Sequence, residues 1–142
     1  MDDYRLEISL DDEPSLTHKD DGNWDTHRFS AKIHGKEVAH ITIDRLIKAK
    51  DPNLIGDEFY FDSEGKPRPY LFYMQTEEEY QGFGIAGKVI LFANKYFQDN
   101  FEVSLYSGTL NDKNPIRVWE KLVESRDAFE TSYQGDRRWG LF

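Results

Sequence analysis

Tyr80-Gln81-Gly82-Phe83-Gly84-Ile85-Ala86-Gly87 is the stretch on which the reading of this chain turns. The apolar run Tyr70-Leu71-Phe72-Tyr73-Met74 precedes it, and a helical pattern opens near Phe83. A strand that runs through a glycine-spaced turn into a helix presents main-chain N–H groups that find no partner within the helix. These groups lie at the positive end of the helix dipole and can donate to an anion. Gly82 and Gly84 carry no Cβ, so a ligand can come close to the main chain and unusual backbone angles cost little.

The spacing separates this loop from other phosphate cradles. A nucleotide P-loop ends in Gly-Lys-Ser/Thr, but here Gly87-Lys88 is followed by Val89, and the hydroxyl that would hold magnesium is missing. A dinucleotide Gly-x-Gly-x-x-Gly fits onto Gly82, Gly84 and Gly87. That fingerprint, however, belongs near the start of a βαβ unit with an acidic residue about 20 positions further on. What remains is Gln81-x-x-Gly84-x-Ala86.

Outward from this unit, Tyr4-Arg5-Leu6-Glu7-Ile8-Ser9-Leu10 alternates as a strand does. Residues 11–25 are polar and irregular, with Pro14 and Gly22, and leave room for a short helix at most. Residues 29–34 read as a second strand, Gly35-Lys36 as a hairpin turn, and residues 37–44 as a third strand that Leu46 and Ile47 could extend. Residues 51–69 form a long connection with three prolines and two glycines. Connections of this length in small domains are often functional. Residues 70–76 make the fourth strand. Glu77-Glu78-Glu79 then sets acidic charge before a helix, where the dipole favours it.

Ile85, Val89, Phe92, Ala93, Tyr96 and Phe97 share one face of a helix running from about Phe83 to Gln98. Val103, Leu105 and Tyr106 mark a fifth strand. Asn111-Asp112 is a capping signal, Pro115 suits an early helical turn, and Ile116, Trp119, Leu122 and Val123 follow with helical period. Residues 128–133 and 137–142 read as two strands joined at Gln134-Gly135-Asp136. This order predicts an α+β fold, a single domain spanning residues 1–142 around one mixed, mostly antiparallel sheet flanked by helices.

Composition narrows the function. Eighteen basic and 27 acidic side chains give a net charge of −9, which opposes phosphate-driven nucleic-acid binding and suits a cationic acceptor. Arg137-Arg138-Trp139 is a small basic and aromatic group in that acidic background, and its strand context makes it ordinary edge charge. The absence of cysteine excludes disulfides, a Cys-based metal site and a Cys nucleophile. His18, His27, His34 and His40 lack metal-ligand spacing, and no Gly-x-Ser-x-Gly elbow marks a serine hydrolase. No apolar run reaches the ~18 residues needed to span a bilayer, and the acidic N-terminus is unlike a secretory signal. The expectation is a cytoplasmic protein without metal, nucleic acid or membrane partner.

Gln81-x-x-Gly84-x-Ala86 resembles the acyl-CoA pyrophosphate loop, Gln/Arg-x-x-Gly-x-Gly/Ala, of the GNAT N-acetyltransferase superfamily. The element order from about Phe29 to the end is similar to that fold. Ile116-Arg117-Val118-Trp119-Glu120-Lys121-Leu122 is similar to the family's later helix. The resemblance implies acetyl-CoA as co-substrate and a small-molecule or protein amine as acceptor. It places the pyrophosphate on main-chain N–H groups of Gln81, Gly82, Phe83, Gly84, Ile85 and Ala86. It places the pantetheine along the strand edge at Met74, Gln75 and Thr76, as an added strand.

Candidate catalytic groups are Glu77 and Tyr73 as base, through a water, and Tyr106 as proton donor. Two departures from the family stand out. The helices between its first two strands are reduced here to residues 11–28, so residues 51–69 are expected to wall the acceptor site. That segment carries Asp57, Glu58, Asp62 and Glu64 beside Phe59, Tyr60 and Phe61, a set that suits a cationic amine. Secondly, the family's acidic Tyr falls at Trp119, whose indole can donate a hydrogen bond but not a proton at ordinary pH. A CoA-sensing or protein-interaction module without turnover is the alternative.

Overall fold

A computed structural model of the chain describes residues 5–11, 15–19, 22–49, 66–107, 113–133 and 135–142. Strands β1 (Leu6–Leu10) and β2 (Ser15–Lys19) both pair antiparallel with β3 (Gly22–Ile33). β1 lies opposite Phe29 to Ile33 and β2 opposite Gly22 to Thr26. β3 turns into β4 (Lys36–Ala49), and β5 (Tyr70–Thr76) closes the sheet on the far side. All of these pairings are antiparallel. Helices α1 (Ile85–Phe101) and α2 (Lys113–Glu124) follow, then a two-stranded sheet of β6 (Ala128–Tyr133) and β7 (Asp136–Leu141). The fold is therefore α+β, a mostly antiparallel sheet with two helices.

Several elements differ from the sequence expectation, and the single sheet expected is divided into a five-stranded and a two-stranded sheet. Much of the supposedly irregular stretch 11–25 is strand: β2 supplies main-chain partners to the first half of β3, so a polar segment with no clear alternation is still held extended. The hairpin turn is His34-Gly35 rather than Gly35-Lys36. Both residues have positive φ, 53° and 78°, as a two-residue turn matched to the strand twist requires. The fifth strand shrinks to isolated bridges at Tyr106, parallel to Tyr70 and antiparallel to Gly140.

Those bridges join the two sheets. Leu71 N–H donates to Tyr106 O (2.7 Å), Tyr106 N–H to Pro69 O (3.0 Å), and Leu141 N–H to Leu105 O (3.0 Å). Beyond Leu71, no further main-chain bond connects β5 to residues 103–107 among the described residues. The register between β4 and β5 also shifts there. Thr42 faces Tyr73 while Ile43 faces Leu71, which leaves Phe72 as a bulge. Bulges bend a strand, and past this one the edge of β5 away from β4, from Tyr73 to Thr76, has no neighbouring strand among the described residues.

α1 lies on the sheet through Ile85, Val89, Ile90, Ala93 and Phe97, all buried against a core that includes Phe29, Ile41, Ile43 and Leu71. Asn94 is the polar member of that face. Its Oδ1 accepts the Leu105 N–H at 2.8 Å, which pins the linking segment to the helix. His27 is fully buried among Tyr96, Phe97 and Phe101. Desolvation lowers its pKa to about 4, with Asp25 and Asp44 opposing and Arg45 adding to the effect. Its ring is neutral in the folded protein at neutral pH.

Candidate functional site

The turn between β5 and α1 is built by local rules. Glu77 N–H donates to Val38 O (2.9 Å), the last ladder bond of β5. A 3-10 turn, Glu78–Tyr80, follows, and Gln81 N–H donates back to Glu78 O (3.2 Å). Gly82 and Gly84 then take φ of 86° and 78°, the left-handed region. Gly84 cannot be a helical residue in that conformation, so α1 begins at Ile85, two residues later than the apolar pattern suggests. Lys88 N–H to Gly84 O (3.2 Å) is the first helical bond.

As a result, the N–H groups of Gly82, Gly84, Ile85, Ala86 and Gly87 have no acceptor among the described residues. Space also lies in front of them: a Cβ added at Gly82 or Gly84 would meet nothing within 4 Å. The turn is thus an open row of main-chain donors at a helix N-terminus, with the geometry and polarity of an anion cradle.

The cradle opens into a cleft of about 990 Å3 between the end of β5, the start of α1 and one face of α2, at the upper end of the range for small-molecule sites. Met74, Gln75 and Thr76 line one wall. Gln81, Gly82, Gly84, Ile85 and Ala86 line the next. Of the residues expected at a cofactor site, Phe83 alone lies off this surface. Gln81 also differs in role, since its N–H is already committed to Glu78. Its side chain donates from Nε2 to Thr76 O at 3.1 Å and ties the loop to the strand end.

Because Glu77 turns its N–H towards β4, alternation turns the main chain of Met74 and Thr76 the other way, to the free edge. Val118, Leu122 and Leu91 supply apolar surface. The charged side chains on the cleft are Lys88, Arg117 and Lys121, with Asp127 alone against them. None of the three cations forms an ion pair among the described residues. A chain of net charge −9 therefore has a locally cationic cleft. Arg117 and Lys121 were legible as an i,i+4 pair on an amphipathic helix, but the sequence does not say which element that face looks towards.

The candidate catalytic groups are not gathered in this cleft. Glu77 lies 3.2 Å from Lys36 Nζ, and Glu79 is 3.8 Å from the same ammonium. The Glu77 contact raises the lysine pKa. The Glu77 carboxylate thus serves the β3–β4 hairpin. Tyr73 is half exposed, with its hydroxyl donating to Gln75 Oε1 at 3.3 Å and its ring 5.6 Å from that of His40. Since Gln75 lines the cleft, Tyr73 is one side chain removed from it. His40 has a lowered pKa, chiefly by desolvation and then by Arg28, which in turn bonds Glu37 (2.6 and 2.9 Å) and Asp11.

Tyr106 packs on Phe129, lies under the Arg68 guanidinium and lines a separate cavity of about 250 Å3. Trp119 is fully buried in the core, and its indole N–H has no partner among the described residues. Asp57, Glu58, Phe59, Tyr60, Phe61, Asp62 and Glu64 lie outside the described residues, as does the capping pair Asn111-Asp112.

Gly82, Gly87 and Lys88 keep the glycine spacing and lysine of a P-loop, yet Val89 is fully buried where a magnesium-holding hydroxyl would stand. No cluster of three or more potential metal ligands occurs among the described residues. No described helix is long and apolar enough to cross a membrane.

No family model matches the chain. No curated protein matches it either. Among solved structures, it is similar to the crystal structure of Arabidopsis thaliana NAA60 in complex with acetyl-CoA. The identity is 18%, over 81% of this chain and 74% of that one, with a TM-score of 0.47.

Proposed function

We propose that this chain binds an acyl-CoA and transfers its acetyl group to an amine, as an N-acetyltransferase of the GNAT type. One observation carries the reading: N–H groups from Gly82 to Gly87 without an acceptor among the described residues open into the same cleft as the edge of β5 that no described strand covers. A diphosphate suits the first, because five main-chain donors and Lys88 face it. An extended amide-bearing arm suits the second, because the main chain of Met74 and the N–H of Thr76, whose carbonyl already accepts from Gln81, offer strand-like pairing to it. This is the division of labour that a diphosphate joined to a pantetheine requires. The open space at Gly82 and Gly84 fits such a ligand.

In this reading the cleft holds the thioester beside β5, where a main-chain N–H at the free edge polarises the carbonyl as charge develops on its oxygen. The amine must arrive neutral. As nitrogen bonds to the carbonyl carbon the C–S bond breaks, and the proton lost by nitrogen passes through water to the CoA thiolate. Tyr73, whose own proton is donated to Gln75, can position that water, while Glu77 is held by Lys36. Tyr106 lines the other cavity and has no part in this scheme. The amine itself stays unassigned.

A second reading has its own observation. Trp119 occupies the position at which the resemblance sets an acidic Tyr, and it is sealed in the core. A CoA-binding module without turnover would look the same in the cradle and differ at that residue. Calorimetric titration with CoA and acetyl-CoA, with magnesium ATP as comparison, tests the shared claim. Release of free thiol from acetyl-CoA across a panel of amines and peptides separates the two readings. Binding with turnover supports the transferase. Binding without turnover on any acceptor supports the module. No binding of CoA at millimolar concentration removes both.

A further inference from the structure

The cleft holds more positive charge than a diphosphate needs. The cradle already meets a diphosphate with main-chain donors and with Lys88, one turn into α1. Arg117 and Lys121 stand on α2, the opposite wall, four residues apart and so on one helical face. Both are exposed and unpaired among the described residues. Glu120 and Glu124, the acids nearest them in sequence, do not line the cleft. Val118 and Leu122 do, and they set a strip of apolar surface beside the two cations. Two long cations beside an apolar strip, with Asp127 the one carboxylate on the cleft among the described residues, suit a phosphate attached to a flat apolar group. Asp127 accepts the Ser125 hydroxyl at 2.7 Å, within the cleft lining.

We infer that Arg117 and Lys121 form a second phosphate subsite, distinct from the cradle, that recognises the phosphomonoester on the ribose of the CoA nucleotide. The chain would then distinguish CoA from its 3′-dephospho form, while the cradle and β5 hold what the two ligands share. The inference rests on the acyl-CoA reading of the same cleft. A phosphomonoester carries close to two charges at neutral pH, and guanidinium contacts to it are charge-assisted and directional.

The test is calorimetric titration of CoA and 3′-dephospho-CoA against the full chain and three variants: Arg117→Ala with Lys121→Ala together, Arg117→Lys alone, and Lys88→Ala. The wild type should bind CoA about tenfold or more tightly than dephospho-CoA. The double variant should lose that preference and still bind dephospho-CoA as the wild type does. Lys88→Ala should weaken both ligands by a similar factor and keep their ratio. Arg117→Lys should keep part of the preference, since charge is retained and the planar fork is lost. Equal affinity of the wild type for both ligands would overturn the inference while leaving the acyl-CoA reading intact. So would equal weakening of both ligands in a double variant whose melting temperature matches the wild type. Failure of the wild type to bind either ligand would overturn the acyl-CoA reading and this subsite with it.

Discussion

A methyl group placed on Gly87 would lie 3.6 Å from Leu122 Cδ2, so the first turn of α1 and the last of α2 approach each other directly beneath the cleft. The bare backbone at Gly87 sets the spacing of the two walls that carry Lys88 on one side and Arg117 and Lys121 on the other. That separation is an ordinary contact for a methyl group. Gly87 also has no positive φ, so alanine meets neither strain nor a clash.

Gly87→Ala should therefore stabilise the protein by roughly 0.5–1 kcal/mol, the usual gain of alanine over glycine in a helix. Thermal denaturation would show a rise of a few degrees. Gly87→Leu should instead push against Leu122 and narrow the cleft. A lower melting temperature for Gly87→Ala would mean that α1 and α2 are packed more tightly than this contact indicates.

Gly84 behaves differently, because φ is 78° and the space before it is open. Gly84→Ala should cost roughly 1–2 kcal/mol from the left-handed backbone alone, with CoA affinity largely kept. Gly84→Glu should remain folded at a similar cost and lose CoA binding, because its carboxylate occupies the anion cradle. Equilibrium unfolding and calorimetry on the two variants separate strain from ligand exclusion. A folded Gly84→Glu protein with unchanged affinity would make the loop a structural turn.

His27 makes stability depend on pH. Its pKa falls from the ordinary 6.5 to about 4 when the ring is buried in the fold, so between these values the unfolded chain binds a proton that the folded chain does not. The sign follows: stability falls as pH is lowered through that window, at up to about 1.4 kcal/mol per pH unit. His27→Leu, which removes the titrating ring from the Tyr96, Phe97 and Phe101 cluster, should flatten that part of the curve. Denaturant melts of both proteins from pH 7 to pH 4 measure it. Parallel curves would show that His27 is not the group responsible.

Trp119 offers a test of where the chemistry is. The side chain is buried and does not line the cleft, so Trp119→Tyr should neither create nor raise turnover. It should lower stability by roughly 1–3 kcal/mol, as a smaller ring leaves space in the core. A gain in thiol release on this change would show that position 119 reaches the reacting atoms.

Much of the architecture was legible where a local pattern is sufficient. β5 falls at residues 70–76 as expected, because an apolar run bounded by Pro69 and three glutamates has little choice. The apolar period located α1, and glycine conformation moved its start to Ile85. β2 and the first half of β3 were not legible. Their polar stretch is held by pairing across the sheet, which residue types alone do not reveal. The fifth strand was over-read because Tyr106 is fixed by neighbours on both sides, Tyr70 and Gly140, which come from distant parts of the chain.

The candidate site divides in the same way. The residues expected at the cradle are consecutive and, apart from Phe83, line one cleft; that they hold a diphosphate is the proposal. Groups that must converge from separate elements cannot be read so easily. Glu77 is drawn off by Lys36, Tyr106 faces another cavity, and Arg117 and Lys121 matter only because α2 turns them towards α1.

The most direct test of the account is a structure of this chain determined with CoA bound. It should place the diphosphate oxygens within hydrogen-bonding distance of the N–H groups of Gly82 to Gly87. It should also set the pantetheine amides against the main chain of Met74 and Thr76, with the sulfur beyond them along β5. CoA bound with its diphosphate away from that turn, or with its pantetheine arm off the edge of β5, would contradict the account.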